Sequence, residues 1–358
     1  MELLVKLAIV TAQVVLLFTV VLLIVLVLVW LERKVLGRMQ QRMGPMRVGP
    51  HGTLQSLADG IKLLLKEYLT PSGAERLTFL LAPFLVFVPS FLVFVSIPFT
   101  RDLVVRNLDL GLFYFVAVSS LATVGLVLAG WSSSNKYALI GAARTAAQLI
   151  SYELPLTLAV LSVAMLRGTL NLRELVEHQA QVGPYLLWQP LGALIFMMGA
   201  LAEVFRPPFD IPVAESEVLG GPMIEYSGMR WSLFFMAEYG NAFAFSALFV
   251  LLFLSGWVGP GPSWLAIGWF LLKTTAVILV FFWMRAAMPR LRIDQLMGFA
   301  WEVLLPFAFL NLFLTGVVQL YGWPLWSLAL LSLAGLFALG YVVERGRVSW
   351  RRSPSPAF

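Results

Sequence analysis

The sequence has no cysteine and only two histidines, His51 and His178, in 358 residues. The absence of thiols excludes a disulfide framework, a thiolate zinc site and a cysteine-ligated iron–sulfur cluster within this chain. Two histidines are too few for a bis-histidine haem together with any second imidazole site. Charge is scarce as well. Asp, Glu, Lys and Arg make up 12% of the residues, about half the share of an ordinary soluble domain. The soluble-enzyme signatures are also missing: no Walker A loop, no GxGxxG after a strand, no HExxH and no credible Ser-His-Asp set. No segment repeats another, which argues against a stand-alone secondary transporter built from inverted halves.

Apolar side chains are what the sequence has in quantity, at 60%. At roughly 20 residues per membrane span, that supply would fill up to about ten spans. A soluble enzyme, a disordered chain and a single-span anchored domain are therefore excluded. Nine apolar segments stand out, at 7–31, 77–99, 109–131, 150–167, 185–203, 233–257, 264–285, 300–320 and 324–343. The first is too long for a signal-peptide core and ends in Glu32-Arg33-Lys34, so it reads as a retained span. The fold class expected is an all-α polytopic membrane protein, a single integral-membrane domain over 1–358 with about nine transmembrane helices.

The net charge of +6 would suggest a nucleic-acid partner in a soluble protein. Here it reports topology. Basic residues gather in 32–76, 132–149, 204–232, 286–299 and the C-terminal tail, whereas the other side holds only Lys6, Arg101, Arg106, Arg167 and Arg173. The positive-inside rule then places the N-terminus outside and the C-terminus inside, with no nucleic acid implied.

Two inner loops are unusual. In the 32–76 loop, Leu54, Leu57, Ala58, Ile61, Leu64, Leu65 and Tyr68 recur at helical spacing, with Gln55, Asp59, Lys62 and Lys66 opposite and Leu63 as a misfit. This predicts an amphipathic helix over 51–68, lying on the membrane surface or against a partner. The 203–238 loop is acidic on a side that should be basic: Glu203, Asp210, Glu215, Glu217, Glu225 and Glu238 face only Arg206 and Arg230. Its prolines break the backbone, which is tolerated near a bilayer only where protein buries it or it lines a cavity.

Chemistry must come from ionisable residues at membrane depth, whose default reading is an ion or proton path. Glu153 opens the fourth segment, Glu203 closes the fifth, Glu238 begins the sixth, Lys273 lies mid-seventh and Glu302 begins the eighth. Lys273 is expected to pair with an interior carboxylate, and Glu302 and Glu344 divide evenly between anchoring and function. His178 reads as a solvated polar residue and His51 as an interface residue. The acidic loop suits a proton route and the docking of a basic partner equally well.

Four stretches are more specific: ERKVLGRMQQRMGPMRVGPHGTLQSLADGIKLLLKE from Glu32, SNKYALIGAARTAAQLISYELPL from Ser134, AEVFRPPFDIPVAESEVLGGPMIEYSGMRWSLFFMAEY from Ala202, and PRLRIDQLMGFAWEVLLP from Pro289. Together they resemble the quinone-site membrane subunit of respiratory complex I, the proton-pumping NADH:quinone oxidoreductase, from about Glu32 to Leu320. The resemblance implies tilted spans, a quinone chamber shared with peripheral-arm subunits, and partners among the other membrane and arm subunits of the complex. It implies ubiquinone or menaquinone as substrate, no covalently bound cofactor or metal here, and flavin and iron–sulfur clusters only in partner subunits. The location implied is the bacterial inner membrane.

By the same resemblance, Arg33, Asp59 and Lys62 surround the quinone passage, and Arg206, Phe209 and Asp210 form the chamber wall. Glu153, Glu203, Asp210, Glu215, Glu217, Glu225, Glu238 and Arg144 carry proton coupling away from it. The sequence departs from the family pattern at Val213, where Glu is usual, at Phe205 and Met46, where Asn is usual, and at Ser120, where some relatives carry Glu. The alternatives are the homologous membrane anchor of an energy-converting hydrogenase-type complex, expected to match less well at LQSLADGIKLLLKE and RPPFD, and a stand-alone transporter.

Overall fold

The computed structural model describes residues 2–211 and 219–350. These residues contain helices and loops and no strand. Among the described residues, eight helical stretches are long and apolar enough to cross a membrane, so this is an integral membrane protein. They fall in α1 (Glu2–Met39), α3 (Arg76–Leu92), α4 (Gly111–Ser132), α5 (Lys136–Arg167), α9 (Gly228–Phe253), α10 (Ala266–Ala287), a continuous helical run over Ile293–Leu320 that ends in α12 (Leu305–Leu320), and α13 (Leu325–Trp350). Shorter elements are α2 (Gln55–Leu65), α6 (Leu172–Val182), α7 (Tyr185–Trp188), α8 (Pro190–Glu203) and α11 (Ile293–Gly298). A π-helical segment, Phe299–Leu304, joins α11 to α12.

The fifth predicted span differs from the rest. Segment 185–203 is split into α7 and α8 at Gln189, whose φ of −130° and ψ of 60° are not helical. Pro190 is the cause, because it disfavours helical backbone at the residue before it. The 14 residues of α8 span only about 21 Å at 1.5 Å per residue, against a hydrocarbon core of about 30 Å. Protein surrounds this break. Gln189 donates to Thr315 Oγ1 at 2.7 Å, and Ser332 Oγ accepts from Leu191 N at 3.0 Å.

Helix α5 starts 14 residues before the predicted span, at Lys136. Asn135 caps it, accepting from Tyr137 N at 2.9 Å. The extra turns are rich in small residues, and Ala138, Gly141, Ala142 and Thr145 form a buried face of modest hydropathy. Glu153 consequently lies in the middle of a helix and not at its start.

Segments that follow one another pack together, and the loops sort onto two faces. On one, the loop face, Arg206 meets Glu32, Asp210 meets Arg290, and Asn135 meets Glu225. On the other, Arg101 pairs with Glu177, and Gln179 donates to Leu251 O. At the centre is α9, where every residue from Ala242 to Phe253 is buried. Its phenylalanines interlock with neighbours: Phe243 with Phe94, Phe245 with Phe115, and Phe249 and Phe253 with Phe196. Between spans in lipid, close van der Waals packing and not water exclusion drives association, so small residues gather at contacts. Gly125 shows this. A Cβ there would lie 2.6 Å from Val86 Cγ2 and 2.9 Å from the Leu85 carbonyl carbon.

The amphipathic helix is shorter than predicted, at Gln55–Leu65, with a turn at Pro50–Gly52 before it. Its apolar stripe points away from the bundle: Leu54, Leu57, Ile61 and Leu64 are each about half exposed. The side packed on the protein carries Ser56, Asp59 and Leu63. Leu63, the misfit of the polar face, is one of its contact residues.

Two further expectations are corrected. Lys273 pairs with no carboxylate among the described residues. Its Nζ donates to the carbonyls of Leu254, Gly256 and Val258, at 2.7, 3.1 and 2.7 Å. These carbonyls stand past the end of α9, where intrahelical donors run out, so an ammonium is a natural partner. His178 is not simply solvated. Its Nδ1 lies 2.5 Å from the hydroxyl of Tyr185, which is fully buried.

Candidate functional site

A cavity of about 840 Å3 opens at the loop face. Its walls come from the turn after α8 (Phe205, Arg206, Pro207 and Asp210), from the chain entering α9 (Leu219 to Tyr226), and from one face of α9 (Trp231, Phe235, Glu238 and Tyr239). Arg285, at the end of α10, and Arg290 complete it. The turn is sharply bent. Phe205 has φ 50°, Pro207-Pro208 is cis, and Arg206 O accepts from Phe209 N at 2.9 Å. That bend turns the Arg206 side chain back under α9.

The floor is a charge cluster. Arg206 is 2% exposed and donates to Glu32 Oε1 at 2.9 Å. Its Nη2 lies 3.2 Å from Glu238 Oε1, a charge contact without the alignment of a hydrogen bond. Its guanidinium also sits over the Tyr239 ring at 4.6 Å. Arg285 donates to the same oxygen of Glu32. At the rim, Asp210 pairs with Arg290 at 3.1 Å. Burial raises the Asp210 carboxyl above its ordinary range, and Arg290, Arg285 and Arg206 oppose this without cancelling it. Asp210, Glu238 and three arginines thus border one space, with Glu32 behind Arg206, so adding or removing one charge there perturbs its neighbours.

One wall is aromatic. Trp231, Phe235 and Tyr239 follow at i, i+4 and i+8 on α9, with Trp231 and Phe235 stacked at 5.2 Å and Phe235 and Tyr239 tilted at 4.7 Å. Above the cavity, Tyr226 lies flat on Phe79 at 4.1 Å and donates to Phe79 O at 3.2 Å, and its burial pushes the phenol up to about 12. The arrangement offers a planar, weakly polar molecule an apolar stacking surface and a charged end, the usual division of labour in a small-molecule pocket.

The structure brings Arg206, Asp210 and Glu238 together in this cavity and places the other predicted residues that it describes elsewhere. Phe209 lies behind the wall, 1% exposed. It packs on Tyr152 at 5.1 Å, and its carbonyl accepts from Gln148 at 2.8 Å. Glu203 sits beneath the floor beside Phe205, and Glu153 is near enough to act on it electrostatically. Arg144 is half-buried on α5. Glu225 faces away, accepting from Asn135 at 2.6 Å beside a separate surface recess. Arg33 and Asp59 pair at 2.6 Å between α1 and α2, with Lys62 exposed nearby. Burial alone would raise Asp59, but Arg33 and Gln55 bring it below its ordinary value. Glu215 and Glu217, with Val213, lie outside the described residues.

Glu32, Arg285, Arg290 and Tyr239 were not singled out from the sequence. Glu32 and Arg285 stand at span ends, where charges commonly mark topology. Only the folded chain shows that they converge on Arg206.

The family model described as NADH dehydrogenase matches residues 12–316. A protein of Dehalococcoides mccartyi named as a subunit of NADH-quinone oxidoreductase is 45% identical over 343 residues, covering 94% of this chain and 96% of its own. The protein of the same name from Brevibacillus brevis is 48% identical over 310 residues, covering 86% and 92%. That from Geobacillus kaustophilus is 50% identical over 296 residues, covering 80% and 87%. With these spans, this cavity and likeness over nearly its full length, the chain belongs to the NADH dehydrogenase family of integral membrane proteins.

Proposed function

We propose that this chain is the quinone-site membrane subunit of a proton-translocating NADH:quinone oxidoreductase, forming the quinone chamber with peripheral-arm subunits and passing the effect of quinone reduction toward proton pumping. The observation that carries the reading is the cavity itself, with the buried Arg206–Glu32–Glu238 cluster at its floor and the Trp231–Phe235–Tyr239 ladder on one wall. A quinone ring suits the ladder, and its carbonyls suit the guanidiniums. The exposed stripe of α2 would carry the isoprenoid tail, with Arg33, Asp59 and Lys62 around the passage.

Electrons would arrive from iron–sulfur clusters of partner subunits, since a chain without cysteine offers no thiolates to hold one. Reduction of the quinone draws protons and changes the charge next to Arg206, Asp210 and Glu238. The carboxylates beyond the floor, Glu203 and Glu153, would respond in turn. Partners would be the other membrane and arm subunits of the complex and the lipid. The distribution of basic loops supports a loop face turned inward, with the N-terminus outside, in a bacterial inner membrane.

The test uses the assembled complex in membrane vesicles. Arg206→Ala or Asp210→Asn is expected to abolish NADH:quinone reduction while NADH oxidation by hexacyanoferrate continues. Glu203→Gln is expected to impair proton translocation. Full quinone turnover in both cavity variants would remove the cavity from the reaction.

A further inference from the structure

The bend that carries Arg206 and Asp210 is tied together from behind by one side chain. Gln148 on α5 is 1% exposed and lines no part of the large cavity. Its Nε2 donates to two backbone carbonyls, Ala202 O at 2.9 Å and Phe209 O at 2.8 Å. Ala202 lies in the last turn of α8, and Phe209 immediately precedes Asp210. One amide therefore joins the two ends of the bend, and Arg206 hangs between them. Ala202 O has a second donor in Phe205 N, at 3.3 Å, whereas Phe209 O has only Gln148 among the described residues.

The orientation of that amide follows from its partners. Turned over, it would set its oxygen against two carbonyl oxygens, neither of which can donate. As it stands, Gln148 Oε1 has no hydrogen-bond partner among the described residues. The side chain thus leaves an acceptor unused in order to place both donors, and the two donations account for a polar residue this deep in a helix bundle. Its neighbours on α5 serve the same wall. Gly141, Gln148 and Tyr152 recur at i, i+7 and i+11, which brings them onto one face of the helix. A Cβ on Gly141 would stand 2.6 Å from Gly221 Cα, and Tyr152 packs on the Phe209 ring at 5.1 Å. Of the three, only Gln148 holds the backbone of the bend by directional bonds at both ends.

We infer that Gln148 is a positioning residue for the quinone headgroup: by tying Ala202 O to Phe209 O it fixes the spacing between the Arg206 guanidinium and the Asp210 carboxyl. The inference rests on the quinone-reducing reading above and deepens it. Gln148 touches no substrate and acts through the backbone of the bend. Loss of the clamp frees Phe209 O to turn, and Asp210, the next residue, moves with it relative to Arg206. The effect falls on how the headgroup is held, and so on quinone affinity ahead of maximal turnover.

Gln148→Met keeps the length of the side chain and removes both donors. Gln148→Glu keeps its shape and, when protonated, one donor. Both are measured in the assembled complex in vesicles, with NADH oxidation by hexacyanoferrate reporting the electron input and the thermal midpoint reporting stability. In Gln148→Met the Michaelis constant for a short-chain quinone is expected to rise about tenfold, the order expected of a sub-ångström misplacement, with kcat at saturating quinone changed far less. Gln148→Glu is expected to fall between Gln148→Met and the natural chain, and it carries the comparison if Gln148→Met fails to assemble. Ser162→Ala, which removes a buried hydroxyl elsewhere on α5, is the control and should lower the thermal midpoint with the Michaelis constant unmoved. An unchanged Michaelis constant in the Gln148 variants, or an equal rise in Ser162→Ala, would overturn the positioning role while leaving the quinone chamber intact. Full quinone turnover in Arg206→Ala would instead overturn the reading on which it rests.

Discussion

Arg206 and Glu32 are 174 positions apart in the sequence and 2.9 Å apart in the fold. Both side chains are almost fully buried, and each holds the other in place and has a second partner, Glu238 or Arg285. Removing one member of such a buried pair leaves the other charge without compensation, at a cost of about 3–5 kcal/mol. Glu32→Ala should therefore lower the thermal inactivation midpoint of the purified complex and its quinone reductase rate together. Arg285→Ala should cost less, because Arg285 is 36% exposed and water takes over part of its role. Equal, small effects from both variants would show that the cluster is not held as a unit.

The pH dependence of the cavity follows from Asp210. Burial raises its carboxyl, and Arg290, Arg285 and Arg206 pull it back in part. Its native form therefore binds the proton more tightly than the unfolded chain does. Its contribution to stability is fully present below the ordinary carboxylate range and is lost as pH rises through the raised value. Arg290→Ala removes the first of the opposing charges and should move protonation of Asp210 to still higher pH. The acid limb of the quinone-reduction profile should shift the same way. An acid limb that stays where it was, with Arg290 gone, would take Asp210 out of the rate-determining protonation.

How legible these features were from the sequence depended on the kind of residue. Long apolar runs stand alone in the sequence, and eight of the nine predicted segments are long helices. The fifth was broken by the single Pro190 acting on Gln189, a local effect that a hydropathy window averages away. The first turns of α5 were missed for the opposite reason. Ala138, Gly141, Ala142 and Thr145 are buried by close approach and not by apolarity, so nothing in their composition announces a membrane helix. Of the site, the acidic loop and Arg206 were visible because their charge runs against the expected sign. Glu32, Arg285 and Arg290 were not, because a charge at a span end is ordinary until a partner from a distant helix meets it. Phe209 shows the limit of a motif. It stands between Arg206 and Asp210 in the RPPFD run, yet the bend turns its ring into the core against Tyr152.

Lys273 separates a structural charge from a functional one. Its ammonium is held by three carbonyls past the end of α9 and meets no acid among the described residues. Lys273→Met would leave those carbonyls without donors, at about 1–3 kcal/mol for each buried group left unsatisfied. The expected result is a lower thermal midpoint with an unchanged number of protons moved per quinone reduced. A changed ratio at unchanged stability would put Lys273 on a proton path after all.

Gly141, a residue without a side chain, fixes part of the cavity wall. On α5, Gly141 lies against the turn at Gly221 and Pro222, and a Cβ there would stand 2.6 Å from Gly221 Cα and 2.9 Å from its carbonyl carbon. Both neighbours are backbone, so neither can swing aside as a flexible side chain would. The turn leads within a few residues into Met223, Ile224 and Tyr226, which line the large cavity, so the displacement must pass into its wall. Gly141→Ala is otherwise a favourable change in a helix, worth roughly 1 kcal/mol in propensity. If propensity dominates, the complex becomes more stable and turnover is unaffected. If the contact dominates, quinone reduction falls while NADH oxidation by hexacyanoferrate persists, and the Michaelis constant for a short-chain quinone rises with the distorted wall. The distances favour the second outcome. Measuring that constant alongside the thermal midpoint distinguishes the two, since a gain in stability with unaltered quinone kinetics would mean that the turn yields freely and the cavity wall is not fixed from α5.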